Sequence, residues 1–298
     1  MKYIILGATG RLGQHLVRAC IAAGDEVVAV TRGGKSPEAH AVPRWATLHP
    51  DDVTGHHRLF AEADCVVDAR NQPYDDWSRY PAMIAGTLAA LEDTETHYVY
   101  VDNLYLYGRP TTTVPVDETT ARQPVSVKGH IRYQVEQQLL ATMLKHRITI
   151  ARFPDFYGIS TDSLPRSVRW FGPPSLAHQF IHIPDAAHAV RLLAQDEQSA
   201  GKVWHVTGAE PITGYQLRDM AREVTAHAVR LTVMSPGLVR LMGLGFAPAR
   251  GLVETQYLWR QPMLLDQTQF ATRFGTHFIH THREALQAIV NERLGGGI

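Results

Sequence analysis

The fold is decided by residues 2–24, KYIILGATGRLGQHLVRACIAAG, where a short apolar run meets a glycine-rich turn and then a helical pattern. The glycines follow the spacing G-x-x-G-x-x-G at the point where the helix begins. Such glycines let the backbone turn sharply and approach a diphosphate, which the free N–H groups and dipole of the helix N-terminus attract. We therefore predict a dinucleotide-binding turn, the alternative being a glycine-rich turn without a ligand. The residues predicted to contact the dinucleotide are Gly7, Thr9, Gly10, Arg11, Leu12 and Gly13.

Downstream of this turn, apolar strand-like runs alternate with helical patterns. The runs are EVVAVT (26–31), CVVDA (65–69), HYVYVD (97–102) and ITIARF (148–153), with another expected in RWATLHP (44–50). Strands that are apolar on both faces and separated by helices predict right-handed crossovers and a doubly wound parallel sheet, an α/β fold. After residue 155 the alternation loosens and Pro and Gly cluster. We predict a dinucleotide-binding domain over residues 1–155 and, over 156–298, mainly a smaller C-terminal substrate-binding lobe, with some elements returning to the first domain.

Composition excludes several classes of protein. Lys and Arg together number 29 of the 298 residues, as do Asp and Glu, so no basic field favours nucleic acid as a partner. No apolar run approaches the roughly 20 residues of a membrane helix, and the first residues lack the pattern of a signal peptide. Two cysteines, Cys20 and Cys65, cannot form a disulfide framework. We expect a cytoplasmic protein that acts on a small molecule.

The second strand predicts which dinucleotide is bound. An NAD site usually has an acidic residue at the end of this strand, where it holds ribose hydroxyls. Here the strand ends in Thr31 and Arg32, and a guanidinium suits a 2′-phosphate, to which Arg11 could contribute. We predict a preference for NADP(H), with NAD(H) possible, unless Arg32 is only a solvated loop residue. Asp52 either accepts a hydrogen bond from the adenine amino group or caps a helix.

Several motifs together resemble the extended short-chain dehydrogenase/reductase superfamily, in its NAD-dependent epimerase/dehydratase branch. They are GATGRLG (7–13), YVYVDNLYLYG (98–108), KGHIRYQVEQQLLA (128–141), ARFPDFYG (151–158) and FIHIPDAAHAV (180–190). The resemblance implies an N-terminal Rossmann domain and a C-terminal lobe that closes over a nucleotide sugar, a small carbonyl compound or an alcohol. It also implies cofactor contacts at Ala69, Arg70 and Pro154, and a possible homodimer through the helices that flank the fifth strand.

The catalytic positions depart from the family pattern. Where the family has Ser/Thr, Tyr and Lys, this chain has Asn103, Lys128 and Arg132. We predict that the Asn103 amide donates to a substrate oxygen and that Lys128, with its pKa lowered by nearby cations, supplies the proton. Arg132 takes the position from which the family's Lys binds the nicotinamide ribose. Asp102 either pairs with Lys128 or caps a neighbouring backbone group.

Alternatives to this catalytic set remain open. Lys128 could be a surface residue, with Arg132 paired to Glu136 one helical turn later. Tyr105 could supply a replacement phenol, whereas Tyr107 is more often a packing residue. A metal site is not expected, because no acidic ligand accompanies the histidines of HFIHTH (277–282) at a familiar spacing.

The sequence as a whole predicts an NADP(H)-dependent oxidoreductase or epimerase/dehydratase-like enzyme. The alternative is a non-catalytic dinucleotide-binding protein that acts as a redox sensor or regulator. The aromatic residues of the second lobe are predicted either to line a substrate pocket or to form its core, and they are Trp170, Phe171, Tyr257 and Trp259.

Overall fold

The computed structural model describes residues 1–33, 43–74, 76–109, 114–143, 145–157, 161–245, 247–261 and 263–295. Its strands are β1 Lys2–Leu6, β2 Glu26–Thr31, β3 Arg44–Thr47, β4 Cys65–Asp68, β5 His97–Asn103, β6 Ile148–Phe153, β7 Asp155–Phe156, β8 Ser167–Trp170, β9 Ala177–His178, β10 Phe180–Ile181, β11 Lys202–His205, β12 Ile212–Thr213 and β13 Arg230–Val233. Its α-helices are α1 Arg11–Ala22, α2 Val53–Phe60, α3 Tyr80–Ala90, α4 Val127–Thr142, α5 Ile183–Gln195, α6 Gly214–Thr225, α7 Pro236–Gly243, α8 Ala247–Thr255, α9 Tyr257–Arg260, α10 Thr268–Phe274 and α11 His282–Gly295.

The central sheet has seven parallel strands in the order β11-β6-β5-β4-β1-β2-β3. Successive residues of β1 alternate between its two faces: Tyr3 and Ile5 belong to one apolar cluster, Ile4 and Leu6 to the other. Helices α1 and α5 cover the first face, and α2, α3 and α4 cover the second. The predicted doubly wound α/β Rossmann fold is confirmed.

Two elements that follow residue 156 lie on this sheet. Strand β11 pairs with β6, aligning Lys202 with Thr149, and α5 packs with α1 on one face. This part of the chain also contains three two-stranded sheets (β7 with β10, β8 with β13, β9 with β12), the helices α6 to α11 and a third apolar cluster that includes Trp170 and Phe180. The predicted division into two domains at residue 155 stays a prediction.

Helix α2 begins earlier than the sequence pattern indicates. The apolar spacing points to HRLFAEA (57–63), but the helix spans Val53–Phe60, because Asp52 caps it. Within the described residues, no helix is both long and apolar enough to cross a bilayer. A homodimer and a cytoplasmic location stay predictions.

Candidate active site

The glycine turn is packed too closely for side chains. Gly7 has a φ of +78°, and a Cβ placed there would lie 2.8 Å from the carbonyl oxygen of Ala69. A Cβ on Gly13 would lie 2.2 Å from the carbonyl oxygen of Gly7. Helix α1 starts directly after Gly10 and has no acidic residue in its first turn. The turn is therefore a backbone cradle that opens onto a helix N-terminus, which favours an anion.

A cavity of about 850 Å³ runs from this cradle along the carboxyl ends of the sheet strands. Open α/β sheets bind their ligands at this edge. Most of the residues predicted to bind the cofactor or substrate lie in its wall: Gly7, Thr9, Gly10, Arg11, Leu12, Arg32, Ala69, Arg70, Asn103, Arg132 and Pro154. Gly13 lies behind the cradle, where it allows the close packing against Gly7. The structure thus brings these residues to one site, and their contacts with a cofactor stay predictions.

Arg32 also lines a second, adjoining hollow of about 300 Å³. His49 and Arg79 belong to the same wall, and Arg79 pairs with Asp51 at 3.1 Å. Arg32, which follows β2, therefore shares this hollow with His49 and with the Arg79–Asp51 ion pair. Sequence reasoning found Arg32 but missed Arg79 and His49, because neither stands in a recognised motif.

The side chain of Asp52 caps helix α2. Its Oδ1 accepts the backbone N–H of Gly55 at 2.9 Å and caps α2. Leu48, Pro50 and His56 line the cavity, whereas the described wall does not include Asp52. Of the two roles predicted for Asp52, the geometry supports the helix cap.

Replacing Asp52 with alanine should lower the free energy of unfolding by about 1 kcal/mol, because a helix cap is lost. The dissociation constant for NADPH should change less than about two-fold, since a contact to adenine is not removed. Asp52→Asn, which keeps a capping oxygen, is the matched control and should retain stability. If Asp52→Ala binds NADPH more weakly while its stability is unchanged, the result would favour the other predicted role of Asp52, a hydrogen bond with the adenine amino group.

Asn103 ends β5 at the cavity. Its side-chain Oδ1 accepts the backbone N–H of Tyr105 at 3.1 Å. Since this oxygen is engaged, the amide N–H groups are the end of the side chain that can donate to a ligand. The position agrees with the predicted role of a donor to a substrate oxygen.

Asp102, the residue before Asn103, belongs to a buried ionic network. Its Oδ2 accepts from Arg152 at 2.9 and 3.1 Å, and Arg152 also donates to Glu136 at 2.7 Å. Arg122 binds the same Glu136 carboxylate at 3.0 Å. Burial opposes the ionisation of Glu136, but the two guanidinium groups outweigh it and hold the pKa of this carboxyl below its usual value. The predicted pairing of Asp102 with Lys128, or with a backbone group, is therefore wrong.

Arg132 is a fixed cation in the cavity wall. Its guanidinium donates to the hydroxyl of Tyr80 at 3.1 Å and to that of Tyr100, and lies 4.6 Å from the ring centre of Trp77. Although burial acts to lower the pKa of Arg132, Tyr100, Tyr80 and Asp102 raise it, so the charge persists. Its pairing with Glu136 is excluded, because that carboxylate binds Arg122 and Arg152.

Lys128 has partners other than those the predicted mechanism needs. It is 3% exposed, so the surface alternative is wrong. Its ammonium pairs with the carboxylate of Glu254 and lies 4.6 Å from the ring centre of Tyr74. Among the described residues that line the cavity, Lys128 is absent. The side chain joins α4 to α8, and proton transfer by Lys128 stays a prediction.

The cavity wall contains three linked hydroxyl groups, from Tyr105, Tyr74 and Thr255, which together form a hydroxyl chain. The hydroxyl oxygens of Tyr105 and Tyr74 are 3.1 Å apart, and that of Tyr74 is 3.2 Å from Oγ1 of Thr255. All three residues line the cavity. Burial raises the pKa of Tyr74 to about 12 and that of Tyr105 well above its ordinary value, so both phenols stay protonated near neutral pH. Tyr107 instead bonds Arg152 and His205, in the packing role expected for it.

The far side of the cavity comes from the second part of the chain. Leu252, Leu258 and Trp259 give it an apolar surface, while Arg169 and Asp155 add one charge of each sign. Asp155 also contacts Nε2 of His178 at 3.3 Å. The other aromatic residues considered for the pocket are buried in apolar clusters: Trp170, Phe171 and Tyr257.

The sequence was compared with models of known families. The model of the NAD-dependent epimerase/dehydratase family matches residues 3–207, more than half of the chain. The chain belongs to this family. Membership places it among oxidoreductase- and epimerase-like enzymes and confirms the resemblance that the sequence motifs indicate.

Relatives of this epimerase/dehydratase chain include a curated protein and solved structures. A 2′-dehydrokanamycin reductase of Streptomyces kanamyceticus is 26% identical to this chain over 73% of this chain's residues. The match covers 64% of the relative's own length, less than two thirds of it. The UDP-glucose 4-epimerase of Thermotoga maritima, solved with UDP-glucose, shares 18% identity with a TM-score of 0.78 over 99% of each chain. The dTDP-glucose 4,6-dehydratase of Bacillus anthracis, solved with NAD, shares 14% identity with a TM-score of 0.76, covering 100% of this chain and 97% of its own. At these low sequence identities, the two solved structures show only that they share a fold with this chain.

In this epimerase/dehydratase scaffold, sequence reasoning missed two members of the hydroxyl chain. Tyr74 follows β4 in the stretch NQPYDDW (71–77), and Thr255 ends α8. Neither lies in a motif, and Thr255 is 181 residues from Tyr74. The signal that was available was Tyr105, beside the altered position Asn103.

Proposed function

We propose that the protein is an NADP(H)-dependent oxidoreductase that reduces the carbonyl group of a small ketone or sugar-type substrate. The observation that carries the proposal is one continuous cavity that joins the glycine cradle to Asn103 and to the Tyr105–Tyr74 hydroxyl pair. The 2′-dehydrokanamycin reductase relative supports reduction of a carbonyl on a sugar ring.

The wall residues fit a nicotinamide dinucleotide. Gly7 and Gly13 form a backbone cradle that a Cβ would fill, as a pyrophosphate requires. Arg32 supplies a guanidinium that suits a 2′-phosphate and favours NADP(H) over NAD(H), whereas the neighbouring Arg79 is paired with Asp51. When bound, the nicotinamide supplies the hydride for the reduction.

The chain's own groups then handle the substrate oxygen. The Asn103 amide donates a hydrogen bond to the carbonyl oxygen, and the Tyr105 hydroxyl gives that oxygen its proton as the alcohol forms. The Tyr105 oxygen then takes a proton from Tyr74, which takes one from Thr255, and Thr255 takes its replacement from water that enters the cavity. Arg132, which acts to lower the pKa of Tyr105 against the larger effect of burial, stabilises the phenolate that forms transiently.

A protonated phenol favours one direction of the reaction. Burial raises the pKa of Tyr105 well above its ordinary value, so the group starts as an acid and not as a base. Carbonyl reduction uses an acid at this position, whereas alcohol oxidation needs a base. We therefore expect reduction to be the faster direction at neutral pH.

The function is tested by mixing the purified protein with NADPH and a panel of keto-sugars and small aromatic ketones. Consumption of NADPH that depends on the ketone, with the matching alcohol as product, supports the proposal. Tight NADPH binding without turnover across the panel supports the second candidate, a dinucleotide-binding redox sensor. That candidate is favoured by Lys128, which the pair with Glu254 holds out of the described cavity wall.

Arg32→Ala should raise the dissociation constant for NADPH about 10- to 100-fold, because charge-assisted hydrogen bonds to a phosphate are lost. The NADH constant should change less than about two-fold, since NADH lacks that phosphate. Titration calorimetry with both nucleotides measures the difference. Arg218→Ala, which removes a half-buried arginine paired with Asp219 outside the described cavity walls, is the control. Equal losses for the two nucleotides would overturn the assignment to NADP(H).

A further inference from the structure

Three side chains with metal-binding donor atoms meet at the N-terminal end of α5, outside the described cavity wall. His182 is the N-cap residue of α5, Asp185 lies in its first turn, and His280 comes from the segment before α11. One donor atom from each lies within 4.8 Å of the other two. Sequence reasoning discounted the HFIHTH histidines because no acidic ligand stands nearby in sequence, but the fold supplies Asp185 from 95 residues away.

Asp185 and His280 already form a close polar contact. Nδ1 of His280 lies 2.5 Å from Oδ1 of Asp185, whose Oδ2 accepts the backbone N–H of His280 at 2.9 Å. The Asp185 side chain is buried, whereas that of His280 is 46% exposed. The carboxylate is therefore held in place, and solvent reaches the site from the His280 side.

His182 supplies an independent sign that a ligand is expected. Its Nδ1 is buried and has no hydrogen-bond partner in the described part of the chain, although it lies only 4.0 Å from Oδ1 of Asp185. Buried polar nitrogens in native proteins rarely go without a partner.

We propose that His182, Asp185 and His280 bind one divalent transition-metal ion of the zinc type. Two imidazole nitrogens, one carboxylate oxygen and a water entering beside His280 complete a tetrahedral set. Bond lengths of about 2.0–2.2 Å require donors roughly 3.3 Å apart. The ion opens the 2.5 Å contact of His280 with Asp185 and closes the 4.0 Å contact of His182 with Asp185, each by less than about 1 Å. The His182 and His280 donors, which lie within 4.8 Å of each other, approach by up to about 1.5 Å, and the exposed His280 side chain can make this adjustment.

The donor set also selects the class of metal. Mixed imidazole and carboxylate ligands suit Zn²⁺, Co²⁺ or Ni²⁺, whereas Mg²⁺ and Ca²⁺ prefer oxygen donors throughout. The ion ties the segment that precedes α11 to α5, so its role is to stabilise the fold beside the cavity residue Ile183.

The test uses the full chain after treatment with a chelator. Titration with ZnCl₂ should show about one ion per chain and raise Tm, because the ion binds only the folded form. CoCl₂ should give the visible absorption of a tetrahedral site. His280→Ala should weaken binding about 100-fold or more, since loss of a direct ligand exceeds the effect of losing a residue that supports one. His182→Gln, which removes the ring nitrogen at similar volume, should do the same.

His277→Ala is the matched control, because His277 lies in the same exposed segment but outside the cluster. Binding by this variant should equal that of the unaltered chain. No binding at millimolar Zn²⁺, equal binding by the His280→Ala and unaltered proteins, or an equal loss in His277→Ala would each overturn the proposal. NADPH affinity of His280→Ala serves as the check on folding and is independent of the outcome for the metal.

Discussion

Tyr105→Phe should lower kcat for ketone reduction by about 10²- to 10⁴-fold, the usual contribution of a positioned general acid. The dissociation constant for NADPH should stay within about two-fold. The substitution removes one oxygen, while the ring keeps its stacking on Trp77 at a centroid distance of 5.9 Å. A lower kcat would therefore measure the loss of the proton donor and not a change in the shape of the cavity wall.

Two further variants sharpen this experiment. Tyr133→Phe removes the hydroxyl of an exposed tyrosine on α4 and should leave kcat unchanged. Tyr74→Phe removes the second hydroxyl of the chain and should slow turnover less than Tyr105→Phe does. Because burial raises the pKa of Tyr105 well above its ordinary value, kcat should be flat across neutral pH and fall only when the phenol ionises in strong alkali.

One result would identify Lys128, the residue that the sequence indicates, as the proton donor. If Tyr105→Phe keeps full activity while Lys128→Met abolishes turnover and leaves NADPH binding intact, Lys128 is the donor. Its pair with Glu254 would then have to open in the substrate complex. Loss in Tyr105→Phe with an active Lys128→Met protein supports the hydroxyl chain.

Arg152→Met should lower the free energy of unfolding by about 3–5 kcal/mol, as removal of one partner from a buried ionic network does. Arg152 binds both Asp102 and Glu136, whose side chains are 2% and 1% exposed. Methionine fills much of the volume but leaves two carboxylates without this cation. Chemical denaturation of the variant and the unaltered chain measures the difference.

The sign of the pH dependence follows from Glu136. Its folded-state pKa lies below its unfolded value, because Arg152 and Arg122 outweigh the effect of burial. The stability it contributes is therefore present above the unfolded pKa and is lost as pH falls through the folded pKa. The deficit of Arg152→Met should be largest at neutral pH and shrink in acid, where Glu136 takes up a proton.

Arg273→Met is the control for charge loss at the surface. Arg273 pairs with Asp196 at 2.6 Å, but its side chain is 39% exposed. Exposed ion pairs contribute at most about 1 kcal/mol, so this variant should lose little. A loss in Arg152→Met no larger than in Arg273→Met would show that the buried network does not stabilise the fold.

Local patterns were sufficient to predict the fold and many of the residues that line the cavity beside the glycine turn. The spacing of Gly7, Gly10 and Gly13 depends only on the turn they form, and the apolar runs reveal the strands by themselves. The substrate end was harder, because its geometry depends on which distant charges meet. Lys128 and Glu254 are 126 residues apart, and nothing in the helix that contains Lys128 indicates this partner.

The same limit explains the error at Asp102. Its position after a buried strand indicates a site, but the cation that it binds comes from the next strand of the sheet, at Arg152. Helical spacing suggested that Arg132 meets Glu136, whereas Arg152 and Arg122 reach that carboxylate first. Spacing along the sequence shows which residues are neighbours within one helix or strand. The packing of different helices and strands decides which charged side chains form pairs.

The return of β11 to the sheet has a consequence for synthesis. On the ribosome, β6 emerges well before Lys202–His205, so the nascent chain presents the open backbone edge of a fully buried strand until roughly 50 more residues are made. Helix α5, which covers one face, is missing during most of that interval. We therefore expect that a fragment cut at residue 155 would expose this edge and pair with other chains along it.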